Sequence, residues 1–477
     1  MPTVSLADIT PAIALGPLDG RYRKDAADLV DHLSEAALNR NRIHVEVEWF
    51  IHLAQNSVIE GARRLSDDEV EGLRSFAAGF DETTIATLAA HEAVTVHDVK
   101  AVEYTVKEAL VEIGADDLSE LVHFCCTSED INNLSWALGI RGATLEVWLP
   151  RAKALIDVLA ETASELAEVP MLAHTHGQPA TPTTMGKELA VFVHRLRRQY
   201  ERIAGAEFLG KINGATGTYS AHLAAVPGAD WPRIAKTFVE DSLGLSFNPL
   251  TTQIEAHDWD AELFADIARF NRIAHNLATD MWTYISMNYF KQIPVAGATG
   301  SSTMPHKVNP IRFENAEANL ELSCALLDSL ASTLVTSRMQ RDLTDSTSQR
   351  NIGVAFGHSV LALINLVKGL KALAINEEAL AADLDGNWEV LGEAIQSVMR
   401  AAGLQGVPGM ENPYEKLKEL TRGKRIDQAD LRSFVAGLGL PETETELLSA
   451  LTPASYVGIA AQLAETEVAD WRAYSAD

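Results

Sequence analysis

Positive charge is in short supply in this chain. Its 477 residues carry 39 Lys and Arg against 66 Asp and Glu, a formal net charge of -27. That balance speaks against a nucleic-acid or anionic-membrane partner, because both are held through clustered positive charge. A small anionic ligand is still possible, but local groups of Arg and Lys must then hold it against the overall field. Cysteine is scarcer still. Only Cys125, Cys126 and Cys324 occur, two of them adjacent and the total odd, which argues against a disulfide framework and for a reducing cytoplasm. No apolar stretch approaches the roughly 20 residues that span a bilayer. The N-terminus has no basic segment leading into an apolar one, so no secretory signal is expected. Alternating strand-type patterns are rare, with no βαβ rhythm and no internal repeat.

What the chain has in quantity is helical periodicity. Between Leu145 and Leu166, apolar residues fall at Trp148, Leu149, Ala152, Leu155, Ile156, Leu159, Ala163 and Leu166, the three–four spacing of one helix face. The same spacing links Leu263, Ile267, Phe270, Ala274, Leu277, Met281 and Ile285. It resumes after Pro310 through Leu320, Cys324, Leu327 and Leu334, and again at Val360, Leu363, Ile364, Val367 and Leu370. Runs of this length exceed the about 11–12 residues of an average helix and point to a bundle. With 47% apolar residues, the chain predicts a globular all-α protein of three helical domains. Shorter helices fill 1–115, a central long-helix bundle fills 116–370, and short helices broken by Gly and Pro fill 371–477. Long apolar faces of this kind often complete their burial by oligomerising.

Five segments carry the chemistry. The most informative reads Gly300-Ser-Ser-Thr-Met-Pro-His-Lys-Val-Asn-Pro310, a Gly hinge and a Pro stop around Ser301, Ser302, Lys307 and Asn309. Such a segment suits a lid, since a few residues absorb the backbone change. The others centre on His91 and His97 with Asp98, on His123 leading into Thr127-Ser-Glu-Asp-Ile-Asn-Asn133, on His174-Thr-His-Gly-Gln178, and on Arg338, Arg341 and Arg350. Each has a bland alternative. A lone His in a helical protein is usually structural. His174 and His176 would converge as a metal pair on extended backbone, yet no acidic or Cys set stands nearby at ligand spacing. The arginines could form a solvated face with Asp342 and Asp345.

Taken together, these segments resemble the fumarase/aspartase superfamily. The loop at 300–310 carries the superfamily signature. The blocks His97-Asp-Val-Lys-Ala-Val-Glu-Tyr104, Thr127–Asn133 and Thr251-Thr-Gln-Ile-Glu255 are similar to its purine-pathway branch, the adenylosuccinate lyases in their longer bacterial form. The likeness runs from Leu18-Asp-Gly-Arg-Tyr22 to Asn412–Lys424, nearly the whole chain. It implies a fumarase/aspartase-like fold and elimination of fumarate from a succinyl group carried on nitrogen. The substrates implied are adenylosuccinate and the succinylocarboxamide ribotide of the same pathway. It also implies a homotetramer with shared sites, located in the cytoplasm and using no cofactor or metal.

By the same resemblance Ser301 is the base, with Ser302 its rival since spacing does not separate them. His176 is the acid, and Glu314 is its partner, although Glu314 also suits the first turn of a helix starting near Pro310. Lys307 and Asn309 would hold the carboxylate that becomes a dianion. Arg21 with Tyr22, and Arg341 with Ser346 and Arg350, would take the phosphate, because Arg forks match phosphate oxygens. Thr127, Ser128 and Gln253 would meet the succinyl carboxylates, Gln178 would bind substrate, and His97 and Asp98 would meet the purine or ribose. Position 96 departs from the pattern: relatives carry a polar residue there, and Val96 offers only backbone. A sister lyase, an inactive structural oligomer and a metal-dependent hydrolase are the competing readings.

Overall fold

The computed structural model describes residues 14–293, 304, 307–421 and 426–476. Among these residues helices dominate, and the strands are short, forming three two-stranded pairings. The long helices lie where the periodicity puts them: Leu149–Glu165, Asp258–Ser286, Ile311–Leu334 and Ile352–Leu370. The 29-residue Asp258–Ser286 helix is about 43 Å long at 1.5 Å per residue. Its Leu263, Ile267, Phe270, Ala274, Leu277 and Met281 are all buried. Each such Leu, Ile or Phe contributes about 1.5–3 kcal/mol of transfer free energy. A π turn, Ala143–Trp148, precedes Pro150, whose ring and missing N–H are incompatible with a regular α turn.

One expectation fails. The run Thr344–Leu370 is long and apolar enough to cross a membrane by length and composition, which the sequence reading did not anticipate. Its most apolar window is 72% buried inside the protein, as a core helix is.

The chain divides into two compact units: Met1–Ala152, Gln199–Arg272 and Ala318–Ile364 form the first; Lys153–Arg198, Ile273–Glu317 and Asn365–Asp477 form the second. In the first unit, Val47, Phe50, Leu73, Val102, Val106 and Leu110 gather into one core cluster. A buried polar chain sets the register of its long helices. Trp148 Nε1 donates to Ser359 Oγ at 2.8 Å, Ser359 Oγ to Asn271 Oδ1 at 2.8 Å, Asn271 Nδ2 to Ser323 Oγ at 3.1 Å, and Ser323 Oγ to the Ala355 carbonyl at 2.7 Å. Sliding any one helix would leave these groups unpaired in an apolar interior, at about 1–3 kcal/mol each. The second unit has its own cluster around Leu391, Ile395, Met399, Leu431 and Val435. There Trp471 Nε1 donates to Asp157 Oδ1 at 2.9 Å, and Glu467 accepts from Arg197 Nε at 2.8 Å.

Candidate active site

In the second unit, strand β1 (Pro170–Thr175) pairs antiparallel with β2 (Gln178–Thr184), and Thr175 opposite Gln178 closes the ladder. Only His176 and Gly177 are left for the turn, with φ of +54° and +73°. A two-residue hairpin loop needs left-handed backbone at both positions, which Gly supplies freely and His adopts at a cost. His176 is thereby held at an exposed tip beside the exposed Gln178. The extended backbone ends at Thr175, so His174 and His176 are not the converging pair of one strand. The His174 ring instead lies with Nε2 3.9 Å from Asp383 Oδ2.

Ser301 and Ser302 lie outside the described residues. The end of their loop does not. The Lys307 N–H donates to the Met304 carbonyl at 3.0 Å, and Gln292 Nε2 donates to the Val308 carbonyl at 2.7 Å. The Pro310 carbonyl accepts from Phe313 N at 3.0 Å and Glu314 N at 3.3 Å, opening the Ile311–Leu334 helix. Lys307 is exposed and Asn309 half-buried. Glu314 stands in the first helical turn, where its charge suits the helix dipole. Its carboxylate accepts from Trp282 Nε1 at 3.2 Å, and within this chain it is not joined to His176.

The remaining sequence candidates belong to the first unit. Thr127 caps the Ser128–Gly142 helix, and Asp130 reaches back to accept from the Thr127 N–H at 2.9 Å. The same fully buried carboxylate accepts from Lys211 Nζ at 2.8 Å, from Asn213 N at 3.0 Å and from Gly214 N at 3.1 Å. Asn133 fastens the other side: Lys211 N donates to its Oδ1 at 2.8 Å, and its Nδ2 donates to the Lys211 carbonyl at 3.0 Å.

His97 caps the Asp98–Ile113 helix, its Nδ1 accepting from Lys100 N at 3.2 Å. Arg42, 2% exposed, joins two motifs far apart in sequence. It donates to Asp98 Oδ2 at 2.7 Å, Asn132 Oδ1 at 2.9 Å and Asn39 Oδ1 at 2.8 Å. Burial pushes the Asp98 carboxyl up, but the Arg42 charge and the Val99 N–H outweigh it and hold it below the usual carboxylate range.

The arginines divide. Arg341 Nη2 lies 3.0 Å from Glu129 Oε2, and its Nη1 lies 3.4 Å from Gln253 Oε1. Arg350 Nη1 donates to Ser346 Oγ at 2.8 Å, while Nη2 sits 3.9 Å from Asp98 Oδ2 and Nε 3.2 Å from Glu35 Oε2. Arg338 pairs with Asp342 at 2.9 Å on the surface, the solvated arrangement considered for all three. Arg21 lies over the ring of its neighbour Tyr22, 5.9 Å from the centroid. So Gln253 with Arg341, Ser346 with Arg350, and Arg350 with Asp98 are brought together. Arg21 has no such link to the others.

Sequence reasoning missed Arg42, Glu129, Asp130, Lys211 and His257. Asp130 had a signal, the T-x-x-D pattern of a helix start. The others carry no local signal of their partners.

Val96 is the C-cap of the Glu82–Thr95 helix, with φ +50°, ψ +35° and 89% exposure. A β-branched residue in left-handed backbone is strained, and Gly or Asn is the usual occupant of such an end. Val96→Asn is expected to raise stability by about 1 kcal/mol. The reading is a higher urea midpoint at unchanged slope; an unmoved or lower midpoint would remove the strain argument.

A family model described as lyase matches residues 20–324, and one described as adenylosuccinate lyase C-terminal matches 337–457. The adenylosuccinate lyase of Escherichia coli is 49% identical over 452 residues, 94% of this chain and 98% of the relative. That of Vibrio cholerae is 48% identical over 461 residues, 96% of this chain and 99% of the relative. Among solved structures, a fumarate lyase from Mesorhizobium sp. superposes with a TM-score of 0.73 at 18% identity, covering 93% of this chain and 97% of that one. The 3-carboxy-cis,cis-muconate lactonizing enzyme of Pseudomonas putida gives 0.70 at 19% identity, covering 94% and 99%. At such identities these two speak for the fold alone, and it is the helical fold expected from the sequence.

Proposed function

This chain belongs to the adenylosuccinate lyase family of carbon–nitrogen lyases, and from that premise we propose which of its residues carry out the elimination. The hard step is removal of a proton from the carbon beside a carboxylate, because the resulting charge spreads into that carboxylate as a dianion. Ser301, ionised, takes this proton. The electron pair left behind becomes the carbon–carbon double bond of fumarate. The carbon–nitrogen bond breaks, its pair goes to nitrogen, and His176 supplies the proton that nitrogen needs. Lys307 and Asn309 stabilise the dianion, and Ser302 binds substrate.

Thr127, Ser128, Gln178 and Gln253 hold the substrate around its succinyl carboxylates, beside the reacting carbon. The start of the Ser128–Gly142 helix suits an anion, since its free N–H groups point outward from the positive end of the dipole. Arg21 and Tyr22, with Ser346, Arg350 and Arg341, take the phosphate. His97, Asp98 and the backbone of Val96 face the purine or ribose. What supports the reading is the meeting of Arg341 with both Gln253 and Glu129, the residue after Ser128, which gathers phosphate-type and carboxylate-type binders in one unit.

The assembly proposed is a cytoplasmic homotetramer in which neighbouring subunits complete each site. Glu314, joined to Trp282 within its own chain, then meets a His176 of another. The three-part division at residues 115 and 370 belongs to the same proposal. The enzyme is proposed to act on both purine-pathway substrates.

Incubating the purified protein separately with adenylosuccinate, the succinylocarboxamide ribotide, argininosuccinate, aspartate and malate, and following fumarate, tests the substrate assignment. Release from the first two alone is expected. Equal or faster release from argininosuccinate would overturn it.

A further inference from the structure

Behind Arg341 lies a group of buried charges that the elimination does not use. His257, 3% exposed, stands just before the Asp258–Ser286 helix in left-handed backbone, φ +62°. Strain of that kind persists only where surrounding bonds enforce it. Here Glu255 Oε2 accepts the His257 N–H at 2.9 Å, and Asn248 Nδ2 holds Glu255 Oε1 at 2.7 Å. The ring then lies between two helices. Its Nδ1 is 3.0 Å from Asp260 Oδ2, and its Nε2, otherwise without a partner, faces Asp345 Oδ2 at 3.9 Å.

Asp345 is the point of contact with the proposed phosphate residues. Its Oδ1 accepts the Ser346 N–H at 2.6 Å, and Ser346 in turn receives Arg350. Glu129, which holds Arg341, also faces the ring electrostatically and is itself only 2% exposed. We propose that His257 is a positioning residue for the nucleotide end of the site, fixing Ser346 and Arg350 through Asp345 and Arg341 through Glu129. This rests on the reading of those residues as the phosphate binders.

The charge balance supports a protonated ring. The charged groups facing it are Asp260 and Asp345 on the helices it bridges, Glu129 from the Ser128–Gly142 helix and Glu255 from its own loop; Arg341 and Lys211 bear on Glu129 from behind. Burial opposes the ring's charge, but Asp260, Glu129 and Glu255 outweigh it and raise the imidazole pKa to about 9. Burial also pushes Asp260 and Glu129 up, so the ring and these carboxyls compete for protons; with four carboxylates around it, the ring keeps one. The folded pKa exceeds the ordinary 6.5, so the stabilisation is complete below 6.5 and is lost as pH rises through about 9.

His257→Gln is expected to raise KM for adenylosuccinate at least about tenfold while kcat stays within about threefold. The parent's KM should climb as pH passes about 9, and the variant's should lack that limb. A merely structural role is separated by His257→Gln combined with Asp260→Asn. This pair rebalances the buried charge and should restore the urea midpoint, yet KM should stay high because Asp345 still faces no cation. The double variant also carries the KM test if the single one fails to fold. A parental KM in either folded variant would overturn the proposal. Arg350→Gln distinguishes the two possible failures. If it raises KM and the His257 variants do not, the positioning role falls alone; if none does, the phosphate reading falls and takes this proposal with it.

Discussion

Exchanging His176 for Asn is expected to lower kcat by about 10²–10⁴-fold with little change in KM. The range is that of a general acid whose proton is needed only as the carbon–nitrogen bond breaks. The choice of Asn follows from the backbone. His176 has φ +54°, so Ala would add strain, whereas Asn tolerates this region and Gly is free in it. His176→Asn and His176→Gly therefore remove the imidazole while keeping the hairpin tip. If the role were only to hold the turn, both would retain activity; if it is acid catalysis, both lose it and added imidazole restores part of the loss. Ser301→Ala should cost a similar factor with no such rescue, and Ser302→Ala should cost less than tenfold. Parental turnover in His176→Asn or Ser301→Ala would remove that residue's role, and a larger loss in Ser302→Ala would exchange the two serines.

The long helices were legible because one face of each is apolar at helical spacing, and burial of that face is what the spacing encodes. Some of the residues singled out as motifs do meet in the fold, Gln253 with Arg341 and Ser346 with Arg350. The hairpin at 170–184 was not. Its strands carry Pro, His and Thr where a strand pattern would show alternation, and its turn is His-Gly rather than the Asn-Gly that marks such loops. Nor was the partner of Arg341 legible. Glu129 lies in the Thr127–Asn133 block, but its position there does not say which group it pairs with; the fold turns it to 2% exposure against Arg341. Long-range charge pairing has no period, so a sequence reports the charges and not their partners. The membrane-length run at 344–370 shows no continuous apolar stretch, because His358, Ser359, Asn365 and Lys368 break it.

The same limit hides the buried pair Lys211 and Asp130, whose loss should be the most damaging outside the chemistry. Lys211 and Asp130 have no exposed side-chain surface, and their charges meet at 2.8 Å. Removing one member of a buried pair leaves the other charge unpaired, so Lys211→Met is expected to cost about 3–5 kcal/mol of stability, read from the urea midpoint. Asp130→Ala should cost more, because the N–H groups of Thr127, Asn213 and Gly214 lose their acceptor along with Lys211. The double variant should be less destabilised than the sum of the two, since each single change already breaks the pair. Activity should follow the cap and not only the charge. Asp130 fixes the N–H of Thr127 and the first turn behind Ser128, so a folded Asp130→Ala enzyme should show a higher KM, while a folded Lys211→Met enzyme keeps the cap and a KM closer to the parent's. Additive stability losses, or equal KM values in the two folded variants, would contradict this account of how the helix start is held.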